Sequence, residues 1–396
     1  MPEPANISDS AVLVLGAGPA GLVLANLLCA AGVECVVLER RSRTHVQQRA
    51  RAGFLSPRSV ALLRAHGLDH GLARQGRTHD RCEFRSAAGR LELCYSELGT
   101  GDVHTVYPQQ LLVTDLIAEL ERRGGQIRFD TEVLAIGDLD GPRPWVRVRA
   151  ANGREQRCTA RYVAGCDGAR GIARGALPVR PAIRDHGITW LALLARAPSN
   201  TDSVVYGVHA AGFAGQMPRT PDVTRYYLQC DPRTDVDEWD AQRIWDELDR
   251  RLDADRYGPP TRGPIFERSL VRLRSEILDP IQYGRLFLAG DAATSISPSA
   301  AKGANLAIAE AGILARALGA AVRTGDDSAL ASYSEQCLPL IRQAQEFSHW
   351  MIELLHPPAP DDPEAAYQRV LRRARLHSLT TSAHHRHHFA ENYVGI

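Results

Sequence analysis

The stretch Ala11-Val-Leu-Val-Leu-Gly16-Ala-Gly18-Pro-Ala-Gly21, with Cys35-Val-Val-Leu38-Glu39 after it, decides the first unit of the fold. Ala11 to Leu15 reads as a buried strand and Pro19 to Ala31 as a helix rich in alanine and leucine. Cys35 to Leu38 reads as a second strand that ends in an acid. Gly16 permits a tight bend, Gly18 lets backbone amides approach a pyrophosphate, and Gly21 lets the helix pack close to the strand. The free amides and the positive end of the helix dipole attract phosphate, and Glu39 stands where a carboxylate reaches a ribose hydroxyl. A lone glycine triplet could serve a plain strand-to-helix connection. The strand, helix, second strand and acid in the right order point to a dinucleotide.

A chain of 396 residues exceeds what one core usually supports, so two or three folding units are expected. A net charge of +1 gives no reason to expect a nucleic-acid or acidic-membrane partner. No apolar run is read as long enough to span a bilayer, and Met1 to Ser10 lacks the features of a signal peptide, so a cytoplasmic location is expected. Eight scattered cysteines without metal-ligand spacing read as structural thiols. The cluster His384, His385, Arg386, His387, His388 reads as solvated surface, and no metal site is expected. Of 47 Lys and Arg residues only Lys302 is lysine, which hints at a constrained position.

Outward from the glycine turn, helices are expected at about Pro57 to His66 and Gln109 to Arg123, the latter stopped by Gly124-Gly125. Strands are expected at Gln126 to Phe129, Glu132 to Ile136, Trp145 to Val148 and Arg161 to Ala164. Thr189 to Ala195, Ser203 to Val208 and Thr224 to Cys230 suggest an antiparallel sheet, followed by a helix from Asp240 to Leu252. Lys302 to Val322 and Asp327 to Leu355 repeat apolar residues at helical spacing, and Ala390 to Ile396 is too apolar for a frayed tail.

Further motifs follow the turn in a fixed order: Arg51-Ala-Gly53, Tyr107-Pro-Gln109, Ala164-Gly-Cys-Asp167-Gly168, Arg285-Leu-Phe-Leu-Ala-Gly290-Asp291-Ala-Ala, Ala301-Lys302-Gly303-Ala-Asn305-Leu306 and Glu391-Asn-Tyr393-Val-Gly395. In this order and spacing, from Val12 to Val394, the chain resembles the class A flavoprotein monooxygenases, FAD enzymes that hydroxylate aromatic rings. Pattern and resemblance together imply an α/β fold, α+β overall. A Rossmann-like FAD-binding domain (1–79, 103–180 and 266–325) is expected beside an antiparallel-sheet substrate domain (80–102 and 181–265), with a C-terminal helical interface region (326–396).

The resemblance implies that Gly16, Gly18, Gly21 and Glu39 hold the ADP half of FAD, with Arg51, Gln109 and Asp291 along its pyrophosphate and ribityl chain; Gly290 is also expected at the cofactor, and Arg40 and Arg49 both there and among the cations for a nucleotide 2′-phosphate. Gly303 and Asn305 would reach the isoalloxazine, and the helix starting near Lys302 would face the pyrimidine edge, where charge builds on reduction. Asp167-Gly168 would meet both FAD and a transient nicotinamide nucleotide. The nucleotide, NADPH or NADH, would be drawn by Arg51, Arg170, Arg174 and Arg274.

For the substrate, the resemblance implies Arg219 and Tyr227 on a ring carboxylate, with Trp190 in the pocket and Tyr206 on a para hydroxyl. Guanidinium suits a planar carboxylate through paired hydrogen bonds. The phenol proton would pass through Tyr206 and Tyr393 to His79 near the surface, and the carbonyl of Pro298 would accept from the same phenol. A phenolate is rich enough in electrons to attack the distal oxygen of a flavin C4a-hydroperoxide, which is what such a relay is for.

Departures from the family pattern reshape the pocket: Met217 replaces a serine near the carboxylate, Phe54 a small apolar residue, Gly215 a leucine, and Ser299 a threonine. The expected reaction is ortho hydroxylation of a para-hydroxylated aromatic acid, 4-hydroxybenzoate to 3,4-dihydroxybenzoate or a close analogue, using O2 and NAD(P)H. The same chemistry on 4-aminobenzoate or another substituted benzoate is the alternative. A flavin halogenase is disfavoured by the missing W-x-W-x-I-P segment, and a non-catalytic flavin-binding protein by the intact relay. The family also implies a homodimer through the C-terminal helices.

Overall fold

In the computed structural model the described residues are 10–49, 53–359 and 362–395. Two eight-stranded sheets carry the molecule, joined by one small three-stranded sheet. In the first, Ser10–Leu15 runs parallel between Cys35–Leu38 and Glu155–Gly165, and the latter pairs in parallel with Leu286–Leu288. Val12 to Leu15 are wholly buried, as a central strand of a parallel sheet covered on both faces must be. Helix Pro19–Ala30 begins directly after Gly18, with proline in its first turn, where a missing N–H costs nothing. It packs against Gly303–Thr324, a 22-residue helix that ends at Gly325 in the left-handed conformation.

That second helix corrects one expectation. Gly303–Thr324 is long and apolar enough to cross a membrane by length and composition, with mean hydropathy 1.4. Its apolar faces lie inside the fold, where Leu306, Ile308, Leu314 and Leu318 join the main core.

The second sheet is almost wholly antiparallel. Its order is Thr294–Ser295, Ile265–Ile277, Ala182–Ala195, Val223–Cys230, Gly212–Thr220, Val204–His209, Arg81–Ser86, Gly89–Cys94. Among the strands that were not expected are Gly212–Thr220 and the 13-residue Ile265–Ile277. The boundary expected at residue 266 therefore falls inside a strand of this sheet. The helix expected from Asp327 to Leu355 is broken at Ser332 into Ser328–Ala331 and Tyr333–Leu355. The hydroxyl of Tyr333 donates to the carbonyl of Leu288 at 2.8 Å, which anchors the longer helix to the first sheet. At the C-terminus, helix Ala383–Val394 exposes His384, His385, His387 and His388 and buries Phe389, Tyr393 and Val394.

The small sheet pairs Phe54–Leu55 and Arg77–His79 with the two edges of His104–Val106. Its register sets His79 opposite His104. No sequence motif announces that pairing.

Candidate active site

The glycine turn is shaped by close approach. A Cβ on Gly21 would stand 2.0 Å from the Gly16 carbonyl oxygen, and one on Gly16, where φ is +100°, 2.5 Å from the Cys166 carbonyl oxygen. Over Gly18 nothing lies within 4 Å of where a Cβ would be, which leaves open space at the start of the helix. A cradle closed behind and open in front fits a pyrophosphate. Glu39 lies beside it, accepting from the amides of Ala17 and Arg41 at 2.8 Å each. Each carboxylate oxygen keeps lone-pair capacity for a ribose hydroxyl.

Asp167 follows the strand that pairs with Ser10–Leu15. One of its oxygens accepts from the Ala173 amide at 3.0 Å and the other is buried without a partner. Burial raises its pKa, and Arg40 is among the groups that lower it, which places that exposed cation close to the turn. Gln109 opens helix Gln109–Arg122, and Asp291 sits in the short helical turn Gly290–Ala292. Arg51 lies outside the described residues.

Four expected cofactor or nucleotide contacts are placed differently. Asn305 is buried with both ends committed: its oxygen accepts from the Ser56 amide and the Ser59 hydroxyl at 2.8 Å, and its amide donates to the carbonyls of Phe54 (3.0 Å) and Ala301 (3.2 Å). Its side chain clamps the Phe54 segment to the long helix and has no donor left for the isoalloxazine. Lys302 turns away from the helix start to donate to the Tyr393 carbonyl at 3.0 Å and to that of Gly395. Burial, with Arg58 nearby, pushes its pKa down to about 7. Arg174 and Arg274 both pair with Glu276, each at 2.6 Å, so neither is an uncommitted cation for a nucleotide phosphate. Arg49 and Arg170 are exposed.

The substrate residues gather on one face of the second sheet. Tyr206 pairs across strands with Gly215, Gly215 with Tyr227, and Tyr227 with Ala192. The two tyrosines thus stand about 10 Å apart across a residue with no side chain. A Cβ on Gly215 would meet the Phe213 ring at 2.9 Å and Tyr227 at 3.4 Å. Phe213 fills the volume left there, so the glycine does not simply enlarge the pocket. Met217 lies two residues on, opposite Arg225. Arg219 is buried, and desolvation, with Arg225 adding to it, pushes its guanidinium down to about 10. A buried cation beside a second cation favours an anionic ligand.

Trp190 belongs to the wall behind the site. It packs on Tyr227 and Phe213, ring centres 4.8 Å apart in each case, and donates to Nε2 of His356 at 2.7 Å. Ser299 is also committed elsewhere, its hydroxyl donating to the Ser348 carbonyl at 2.9 Å. The Pro298 carbonyl accepts from the Ala301 amide at 3.2 Å and keeps a second lone pair.

The hydroxyls of Tyr206 and Tyr393 are 2.7 Å apart and buried. Burial pushes both phenols well above the usual tyrosine range. The next step differs from expectation. His79 is only 7% exposed, shielded by Phe54 and Tyr95, and its partner is the Tyr95 hydroxyl at 2.7 Å. Among the described residues no direct hydrogen bond joins it to Tyr393. Burial lowers the His79 pKa to about 4, so the ring is neutral at ordinary pH. Tyr95 and His104, absent from the sequence reading, each lie 5.3 Å from Tyr393 between ring centres.

Comparison with known proteins accords with this geometry. The FAD binding domain family matches residues 9–348. The chain is 35% identical to p-hydroxybenzoate hydroxylase of Acinetobacter baylyi over 389 residues, covering 97% of this chain and 95% of that protein. It is 28% identical to 3-amino-4-hydroxybenzoate 2-monooxygenase PtnB3 of Streptomyces platensis, over 89% of each. Among solved structures, p-nitrophenol 4-monooxygenase PnpA from Pseudomonas putida DLL-E4 shares the fold, with TM-score 0.83 at 20% identity over 98% of this chain and 99% of that one. The chain belongs to the FAD-dependent aromatic monooxygenases, and FAD is its cofactor.

Proposed function

We propose that this enzyme hydroxylates a para-hydroxylated aromatic acid ortho to its hydroxyl, with 4-hydroxybenzoate the leading substrate and NAD(P)H and O2 as co-substrates. The observation that carries the reading is the buried Tyr206–Tyr393 hydroxyl pair on the sheet face that also presents Arg219. Bound FAD supplies the redox chemistry, taking electrons from the nicotinamide nucleotide and delivering one oxygen atom from O2. The glycine cradle, Glu39, Gln109, Asp167, Gly168, Gly290, Asp291 and Gly303 hold it.

The chain's own residues do the rest. Arg219 and Tyr227 bind the carboxylate and so fix which ring carbon faces the flavin. Tyr206 accepts the phenol proton while passing its own to Tyr393, leaving the substrate as the more nucleophilic phenolate. A tyrosine suits this because its acidity matches that of the substrate, so the proton moves with little driving force needed. The Pro298 carbonyl holds the phenol until it ionises.

Arg40, Arg49 and Arg170, all exposed, favour NADPH over NADH. Helix Ala365–Thr381 leaves Tyr367, Val370 and Leu371 exposed at 65%, 60% and 36%, a stripe at helical spacing that supports a homodimer through the C-terminal helices. All eight cysteines are free, in keeping with the cytoplasm. The second reading is an amino-substituted benzoate, accommodated by the reshaped pocket at Met217 and Gly215. The test is NADPH oxidation by the FAD holoenzyme across para-hydroxy and para-amino benzoates, with product masses. Acceleration by 4-hydroxybenzoate and a product 16 mass units heavier, the mass of one oxygen atom, is expected. No acceleration by any para-substituted benzoate rejects the assignment.

A further inference from the structure

We infer that Glu310 is a positioning residue for FAD: it holds the Gly290–Asp291 turn as a neutral acid, and loss of its proton weakens the hold of the site on the cofactor. This rests on the reading above that places FAD against that turn. Gly290 has a left-handed backbone, φ +67°, and a Cβ there would stand 3.0 Å from that of Ala20 and 3.4 Å from that of Ala307. The turn is therefore wedged between the first turn of helix Pro19–Ala30, which opens at the phosphate cradle, and helix Gly303–Thr324. Glu310 projects from the second helix, and one of its oxygens accepts from the Gly290 amide at 2.5 Å. The other oxygen is buried without a hydrogen-bond partner.

That arrangement suits an acid and not a carboxylate. Glu310 is wholly buried, and among the described residues no basic side chain pairs with it. The charged group that bears on it is Asp291, of the same sign. Tyr333, Cys337 and Cys166 also face it, and burial keeps all three protonated well past neutral pH. The cation Arg316 is felt by Cys337. A protonated carboxyl divides its work: the carbonyl oxygen accepts from the amide, and the hydroxyl brings no charge into the core. Burial pushes its pKa up to about 8, with the Gly290 amide opposing the rise and Asp291 adding to it. The pyrophosphate of FAD brings further negative charge to the same turn, so bound cofactor and ionised Glu310 disfavour each other. Below pH 8 the acid is neutral and affinity for FAD holds steady; above it, binding must first restore a proton, and affinity falls as pH rises.

The test follows FAD release on dilution of the purified holoenzyme, read by the fluorescence of the freed flavin. Wild type is expected to bind FAD about 10-fold more weakly at pH 9.5 than at pH 7. Glu310→Gln keeps an acceptor for the Gly290 amide and cannot ionise, so it is expected to match wild type at pH 7 and to lose most of the pH dependence. Glu310→Leu keeps the volume and removes the acceptor, and is expected to release FAD more readily at both. Circular dichroism checks that each variant is folded. Infrared spectra give a readout independent of FAD affinity: wild type at pH 7 is expected to show a protonated carboxyl band that Glu310→Gln lacks. An absent band, or a pH dependence equal in wild type and Glu310→Gln, overturns the inference. If Glu310→Leu also binds FAD as wild type does, the placing of FAD against this turn falls with it.

Discussion

The glycine turn and the tyrosine face do their work by opposite means. At the turn the backbone acts, and the requirement is that side chains be missing: Gly16 and Gly21 each lie within 2.5 Å of a carbonyl oxygen at the Cβ position. On the sheet face the backbone is ordinary antiparallel strand, and the chemistry lies in hydroxyls, a guanidinium and two neutral imidazoles. Steric exclusion fixes the first region. Hydrogen-bond direction fixes the second. Substitution in one should cost the fold and the cofactor together, and in the other only the reaction.

The largest effect is expected at Gly21→Ala, whose methyl would meet the Gly16 carbonyl oxygen at 2.0 Å. The variant should lose about 3 kcal/mol or more and purify without flavin colour, checked by denaturant unfolding and absorbance. A yellow, stable Gly21→Ala protein breaks the contrast at once. Tyr206→Phe should do the reverse, keeping FAD and melting temperature while kcat falls about 100-fold or more.

Arg219→Met should weaken carboxylate binding roughly 100-fold, because the charge-assisted bonds are lost. Calorimetric titration with 4-hydroxybenzoate reads the loss, alongside a melt that checks the folding of the ligand-free protein.

The smallest effect belongs to Glu310, a buried carboxyl beneath the Gly290–Asp291 turn that accepts from the Gly290 amide at 2.5 Å. Burial raises its pKa from 4.5 to about 8, so the folded state keeps a proton that the unfolded chain releases. The stability it contributes is complete below pH 4.5 and is lost as pH rises through 8. Glu310→Gln keeps an acceptor for the amide and removes the titration. Its melting temperature should stay flatter over that window and exceed the wild type by a few degrees at pH 8.5. Parallel melting curves would remove Glu310 from the account.

The turn was legible in the sequence because steric demands act within a few residues: a strand, Gly16 to Gly21, a helix and Glu39 are all local. The long helix around Leu306 to Leu318 and the burial of Tyr393 were legible for the same reason, being periodic and apolar. Strand Gly212–Thr220 was not, since two glycines and Pro218 lower its β signal, and Ile265–Ile277 was not, since its charged residues mask the alternation. The relay was only partly legible. Tyr206 and Tyr393 follow from family resemblance, but Tyr95 and His104 meet His79 only through the register of a three-stranded sheet and a turn at Tyr95–Leu98. The same blindness covers Asn305, Lys302 and Ser299. Their residue types suited a cofactor or substrate site, and only coordinates show that their polar atoms are already taken within the protein.

The most direct test of the central claim is a single turnover of FAD holoenzyme with NADPH, 4-hydroxybenzoate and 18O2. The account expects 3,4-dihydroxybenzoate carrying one 18O atom in wild type, with its yield sharply reduced in Tyr206→Phe. Unlabelled product, or equal yields from the two proteins, would contradict a buried tyrosine pair that ionises the substrate for oxygen transfer.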